Sequence, residues 1–186
     1  PANVTLHTRD DLALVALQGP EAEAVLAAHA SSVSTLSFMQ AAEIRIGTIA
    51  AFVTRSGYTG EDGYEISVSA NDAPALWDVL LKDAHVKPIG LGARDSLRLE
   101  SGLCLYGHEL DDTTSPNEAA IMWSIAKRRR EERGFIGATR VQFEIKNSVK
   151  RQRVGIKPDG RAPAREGTIV QNAEGRIIGK ITSGGF

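Results

Sequence analysis

The chain has 186 residues, enough for one or two domains, and its 42% hydrophobic content suffices for a packed core. Its 22 Lys and Arg nearly balance 23 Asp and Glu, leaving a formal net charge of −1. That excludes a general pull toward nucleic acid or an anionic membrane and confines any electropositive site to a local patch. The single cysteine, Cys104, excludes an internal disulfide and fits a reducing compartment, and with His7, His29, His85 and His108 scattered no metal cluster is expected. No run reaches the roughly 20 apolar residues that span a membrane, and the opening residues lack the basic start and apolar core of a secretory signal. Pro1-Ala-Asn-Val has no initiator Met, as expected of a processed chain or of one cut from a longer one.

Residues 10–19 are a short apolar run between turn residues, which predicts a buried strand. Pro20 stands where a helix can start, and residues 21–30 follow with strong helix formers and acidic side chains in the first turn. Residues 31–37 read as a polar connection, and residues 43–54 carry the β-branched content of one or two strands broken at Gly47. Next comes Thr54-Arg-Ser-Gly-Tyr-Thr-Gly-Glu-Asp-Gly-Tyr-Glu-Ile-Ser-Val68, in which Gly57, Gly60 and Gly63 let the backbone turn tightly or approach a neighbour closely. From Tyr64 the pattern alternates, placing Tyr64, Ile66 and Val68 on one face of a strand and Glu65 and Ser67 on the other. The Glu65 carboxylate there either takes two parallel hydrogen bonds from a planar ligand edge or a guanidinium, or is the solvated residue of a tight hairpin. Residues 71–81 predict a second helix, capped by Asn71 or Asp72, with Leu76, Trp77, Leu80 and Leu81 forming its apolar face and Trp77 in the core. The order β, α, β, β, α predicts an α+β layer with helices on one face of an antiparallel sheet, a ferredoxin-like plait being the simplest version.

Residues 87–92 read as a loop. Beyond it Arg94 and Arg98 stand four apart, a like-charge pair that mildly destabilises a helix unless Asp95, Glu100 or an outside anion relieves it. Either one arginine points at a partner or the pair closes an internal salt bridge. Residues 101–116 read as a long loop whose Glu109, Asp111 and Asp112 lack the alternating ligands and closing Glu of a calcium-binding EF-hand loop. Residues 118–126 are apolar around Trp123 and fit a strand or a helix. The charge run at 127–133 reads as a solvated face, or as a docking patch for an acidic partner or polyanionic tail. Residues 135–140 suggest a turn and short helix. A domain boundary is expected near residue 144, after which strand-like runs at 149–156, 168–171 and 176–182 alternate with turn sequences, too few to close a barrel alone.

The run from Arg55 to Ile66, with Gly92-Ala-Arg-Asp-Ser-Leu-Arg-Leu-Glu100, Gly102-Leu-Cys-Leu-Tyr-Gly107, and Trp123 followed by Lys127-Arg-Arg-Arg130, resembles the aminomethyltransferase (T-protein) family of the glycine cleavage system. The four motifs stand in the family's order and the resemblance runs through essentially the whole chain. Family members are roughly twice as long, and this sequence is similar to their middle and later part. The resemblance implies a three-domain cloverleaf around a folate channel, made of ferredoxin-like α/β plait halves and followed by a small β-barrel. It divides the chain into residues 1–106, the second half of the first folate-binding domain; 107–143, part of the second domain; and 144–186, an incomplete C-terminal β-barrel. It also implies transfer of the aminomethyl carbon carried on the lipoyl arm of H-protein to tetrahydrofolate, releasing ammonia and forming methylenetetrahydrofolate. No metal, nucleic acid or membrane is implied, and the location is cytoplasmic for a bacterial parent or the mitochondrial matrix for a eukaryotic one.

Carried over residue by residue, Tyr58, Glu65, Arg94, Trp123 and Arg153 look like the family's folate-channel positions. Their chemical types suit that job. A pterin presents adjacent N–H donors to a carboxylate such as Glu65, the glutamyl tail presents carboxylates to Arg94 or Arg153, and Tyr58 and Trp123 offer flat walls. The family's catalytic aspartate lies upstream of the Tyr58 position, in the portion that would precede Pro1. The resemblance therefore implies an active parent and an inactive isolated piece, with residues 101–143 exposing apolar surface. Three other readings use the same residues. A similar folate module is joined to flavin-dependent dehydrogenases of sarcosine and dimethylglycine, but residues 107–118 and the basic run 127–130 look more like the free-standing enzyme. Folate-binding relatives in iron–sulfur maintenance carry a short motif around a single cysteine that is not seen at Cys104, whose leucine-flanked setting reads as core. The last is an α+β domain with a basic docking patch and no small ligand, against which protection of the fold by folate would argue.

Overall fold

Alternation of apolar side chains decides the main sheet. The computed structural model describes residues 3–185, and the chain divides into two compact units, Pro1–Ser101 and Gly102–Phe186. In the first, β1 (Leu12–Gln18), β2 (Ala41–Ile46), β3 (Ile49–Thr54) and β4 (Gly63–Ser69) form a fully antiparallel sheet in the order β1-β4-β3-β2. Helix α1 (Ala22–Ala27) follows β1, α2 (Ala73–Leu80) follows β4, and α3 (Leu91–Glu100) ends the unit. Ile46 pairs with Ile49, so two residues turn the β2–β3 hairpin at the expected break, Gly47 taking φ 60° as such turns require. Tyr64, Ile66 and Val68 of β4 are buried with Val53 of β3, Ile46 of β2, Val25 and Leu26 of α1, and Leu76 and Leu80 of α2, in one continuous core.

The antiparallel α+β layer agrees with the sequence reading, with three local differences. The strand over residues 10–19 is not buried on both faces: Leu14 is 65% exposed, because β1 turns only alternate residues toward the helices. Residues 31–35 form a turn of 3-10 helix (Ser31–Thr35) that plugs Val33 into the core. Trp77 is 43% exposed, the stripe of α2 running instead through Leu76 and Leu80, four residues and one turn apart.

The second unit holds less regular structure. A 3-10 turn (Met122–Ser124) surrounds Trp123, α4 (Lys127–Glu132) carries the basic run, and α5 (Ala138–Asn147) continues through residue 144. Helix α4 stops at Arg133, whose left-handed φ of 63° ends the hydrogen-bond ladder. Residues 149–156 form no strand; the Arg153 amide instead bonds the Glu118 carbonyl at 2.7 Å. A hairpin of β5 (Ile169–Gln171) and β6 (Ile177–Lys180) closes the described chain, turned by Asn172 through Gly175.

Candidate functional site

The glycine-rich loop between β3 and β4 is held from three sides, which fixes what stands on it. From β1, the carboxamide of Gln18 donates to the carbonyls of Ser56 at 3.0 Å and Tyr64 at 3.2 Å and accepts from the Thr59 hydroxyl at 3.3 Å. Gly57 is glycine for that reason: a Cβ there would overlap the Gln18 amide. From α3, the Ser101 hydroxyl lies 2.8 Å from the carbonyls of both Thr59 and Leu97. Gly60 has φ 82°, and a Cβ on it would collide with that serine. At the outer end, Arg55 donates to both oxygens of Asp62, to the Leu36 carbonyl at 2.8 Å and to Glu23 of α1 at 2.6 Å. The hydrogen bonds that Asp62 accepts hold the Arg55 guanidinium above its ordinary pKa, and Arg55 in turn holds Asp62 below the usual carboxylate range. Beneath them Tyr64 is fully buried, and burial pushes its phenol up.

Glu65 points to the sheet face opposite the helices, paired with Thr54 on β3 and Ala16 on β1. Its Oε2 accepts from the Ser56 hydroxyl at 2.6 Å, and Ser56 Oγ lies 2.8 Å from Thr54 Oγ1. No guanidinium pairs with Glu65 among the described residues, so the carboxylate retains acceptor positions for a planar donor edge.

The two arginines of α3 take different roles. Arg98 is 2% exposed and pairs with Asp95 at 2.7 Å, the internal salt bridge. Arg94 is exposed and its guanidinium lies 4.8 Å from the centre of the Tyr58 ring, a cation–π contact that holds the ring and the charge together. No carboxylate pairs with Arg94 among the described residues. The structure thus brings Tyr58 and Arg94 together, with Glu65 at the end of the same loop.

The remaining two positions lie in the second unit. Trp123 is 77% exposed. Arg153 is anchored by its Nε on the Ala119 carbonyl and its Nη1 on that of Gly102, each at 2.8 Å, which leaves Nη2 to donate elsewhere. Nearby in that unit Glu118 and Ser115 cap each other's backbone amides, and Arg140 and Arg151 pair with Glu118 at 2.7 and 2.9 Å. The sequence reading missed Gln18, Arg55 and Ser56. The signal for Gln18 was the glycine at 57, which marks backbone that a neighbour must approach; none existed for the Ser56–Glu65 bond.

A cavity of about 420 Å³ lies elsewhere in the first unit, lined by His29, Thr48, Asp72, Val79 and Lys82 among others. It contains none of the expected site residues, and volume alone carries less weight than side chains held in place for a ligand. Among the described residues no group of three or more His, Cys, Asp or Glu is placed to hold a metal ion, and no helix is long and apolar enough to cross a membrane.

The chain is similar to known proteins along most of its length. A family model described as the GCVT N-terminal domain matches residues 2–129. The probable mitochondrial aminomethyltransferase of Schizosaccharomyces pombe is 46% identical over 183 residues, 97% of this chain and 47% of that protein. The mitochondrial aminomethyltransferase of Homo sapiens is 48% identical over 176 residues, 94% of this chain and 43% of that protein. The crystal structure of glycine cleavage system aminomethyltransferase T from Bartonella henselae matches with a TM-score of 0.84 at 46% identity, covering 94% of this chain and 48% of that chain. The chain spans about half the length of the curated relatives it matches. Both curated names carry the mitochondrial half of the expected location and give no support to the cytoplasmic one. With a domain model over more than half of its residues and relatives nearly half identical along almost all of it, the chain belongs to the aminomethyltransferase family that carries the GCVT N-terminal domain.

Proposed function

We propose that this chain forms part of the folate-binding wall of a glycine cleavage system aminomethyltransferase, which moves the aminomethyl carbon from lipoylated H-protein to tetrahydrofolate and releases ammonia. In that reaction the carbon's bonds to the lipoyl sulfur and to its amine both break, two bonds to folate nitrogens form in their place, and the two folate N–H protons leave with the sulfur as a thiol and with the amine as ammonia. The chain's own part is to hold the acceptor. Glu65 takes the paired N–H donors of the pterin, and Tyr58 and Trp123 supply flat walls. Arg94 clamps a glutamyl carboxylate with its forked donors, while Arg153, anchored by two carbonyls, offers Nη2 to another. None of its residues is assigned a proton transfer, so its contribution is positioning, which in such a two-reactant transfer accounts for much of the rate.

The observation that carries this reading is the division of labour on α3: Arg98 is neutralised by Asp95, whereas Arg94 lies on Tyr58 with no carboxylate paired to it among the described residues. An arginine kept flat, exposed and unpaired is arranged for an anion from outside. The architecture of the reading is that of plait halves leading into a terminal barrel, with residues 1–106 in the first folate-binding domain, 107–143 in the second, and 144–186 in the barrel. The compact unit ending at Ser101 and the β5–β6 hairpin support it, although α5 continues past residue 144 to Asn147. The compartment follows the source, the matrix in a eukaryote and the cytoplasm in a bacterium. The test is calorimetric titration of tetrahydrofolate into the protein carrying this sequence. Saturable binding is expected, weakened at least tenfold in both Glu65→Ala and Arg94→Ala. No binding, or affinities unchanged in both variants, overturns the assignment.

A further inference from the structure

The Glu65 carboxylate is aimed by Ser56, and Ser56 is itself held by a side chain from a different strand. We propose that Gln18 is a positioning residue of the folate-binding site, setting the Glu65 carboxylate through Ser56; this rests on the reading of the site given above. Gln18 is the last residue of β1, and its carboxamide makes three hydrogen bonds to this loop. Nε2 donates to the carbonyls of Ser56 and Tyr64, and Oε1 accepts from the hydroxyl of Thr59, itself 7% exposed. Two of these contacts bracket Glu65. The Ser56 hydroxyl donates to Glu65 Oε2 at 2.6 Å, and Tyr64 is its chain neighbour on β4, whose carbonyl leads directly into the Glu65 amide.

A leucine of similar size would leave the two carbonyls and the Thr59 hydroxyl without these partners. A glutamate would set an oxygen against two carbonyl oxygens. The fit is close on two sides, since a Cβ at either Gly57 or Gly63 would overlap the amide. The other clamps do not duplicate it. Arg55 grips Asp62, Leu36 and Glu23, and Ser101 grips the Thr59 carbonyl, but neither bonds the Ser56 or Tyr64 carbonyl. Thr54 Oγ1 meets the Ser56 hydroxyl from the end of β3, and Gln18 is the side chain that holds the Ser56 backbone from β1.

The test is a double-mutant cycle read as tetrahydrofolate affinity, in the protein carrying this sequence, with circular dichroism confirming the fold of each variant. Gln18→Leu and Gln18→Glu are expected to raise Kd at least tenfold, and Ser56→Ala to do the same by removing one hydroxyl from an otherwise intact loop. In a Glu65→Gln background the further effect of Gln18→Leu or Ser56→Ala is expected to shrink below threefold, because the carboxylate they orient is gone. A merely structural role would not produce that loss of additivity. An unchanged Kd in folded Gln18→Leu, or losses that persist undiminished beside Glu65→Gln, overturns the role of Gln18 while leaving the site standing. Should neither Gln18 variant fold, Ser56→Ala decides on the same two criteria. No saturable binding by the wild-type protein overturns the site and this role together.

Discussion

At the scale of single residues, what matters is how many donors or acceptors converge on one group. Asp111 Oδ1 accepts from the amides and hydroxyls of both Thr113 and Thr114 at 2.7–2.9 Å, and these bonds, the Thr114 hydroxyl first, hold its carboxyl down to about 2 from an ordinary 3.8. The folded chain keeps Asp111 ionised where the unfolded chain would protonate it, so the unfolded state binds more protons in that window. Its stabilisation is complete above about pH 3.8, is lost as the pH falls, and is gone below about pH 2. Asp111→Ala is therefore expected to lower stability at neutral pH and to flatten its decline between those limits, measured by denaturant titration at a series of pH values. An equally steep acid limb in the variant would show that the Thr113 and Thr114 bonds do not set it. The same counting separates the arginines of α3: both were visible as a like-charge pair in the sequence, but only burial at 2% for Arg98 and the Tyr58 stack for Arg94 assign them.

At the scale of elements, the sheet is held by the alternation that sequence displays and the helices by stripes that it displays less clearly. Helix α2 has four large apolar side chains near its C-terminal half, and only contact with the sheet decides which face turns inward. Leu76 is 0% exposed and Trp77 43%. Leu76→Ala is expected to cost about 2–5 kcal/mol through lost burial and the cavity left behind. Trp77→Ala, despite removing far more side chain, is expected to cost less. Chemical denaturation of the two variants checks the order, and a larger loss at Trp77 would place the helix's apolar face where periodicity alone puts it. Residues 149–156 fail as a strand for a related reason. The amide of Arg153, in the middle of that run, is taken by the Glu118 carbonyl rather than by a strand partner.

At the scale of the molecule, the two units differ in what they bury. The continuous core from Leu17 to Leu80 belongs wholly to the first unit. Among the described residues the buried apolar ones of the second are Ala119, Ala138, Val141 and Ile181, while Trp123, Ile136, Phe143 and Val154 are all more than half exposed. Burial is the main favourable term in folding, so the second unit has less to set against chain entropy. Differential scanning calorimetry is expected to show two transitions, the lower assigned to residues 102–185 by hydrogen exchange, whose amides should exchange first. A single transition with uniform protection would mean that the units fold as one.

The sequence by itself determined the strands β1 to β4 and the helices α1 and α2, because period-two and period-3.6 apolar patterns state which side chains must leave water. It determined the family too, since the motif around Tyr58 and Glu65, the two arginines of α3 and the Trp123-to-Arg130 run stand in one order. The tertiary structure alone decided that Gln18 braces the loop, that Ser56 aims Glu65, that Arg98 is the paired arginine and Arg94 the unpaired one, and that Trp77 faces water. Most of those depend on contacts between residues far apart in the chain, such as Gln18 with Ser56 or Arg94 with Tyr58, and the Arg98–Asp95 pair, though only three residues apart, is singled out by the burial of Arg98. Local periodicity carries no record of which distant side chain fills a given space; only the close packing of the folded chain specifies it.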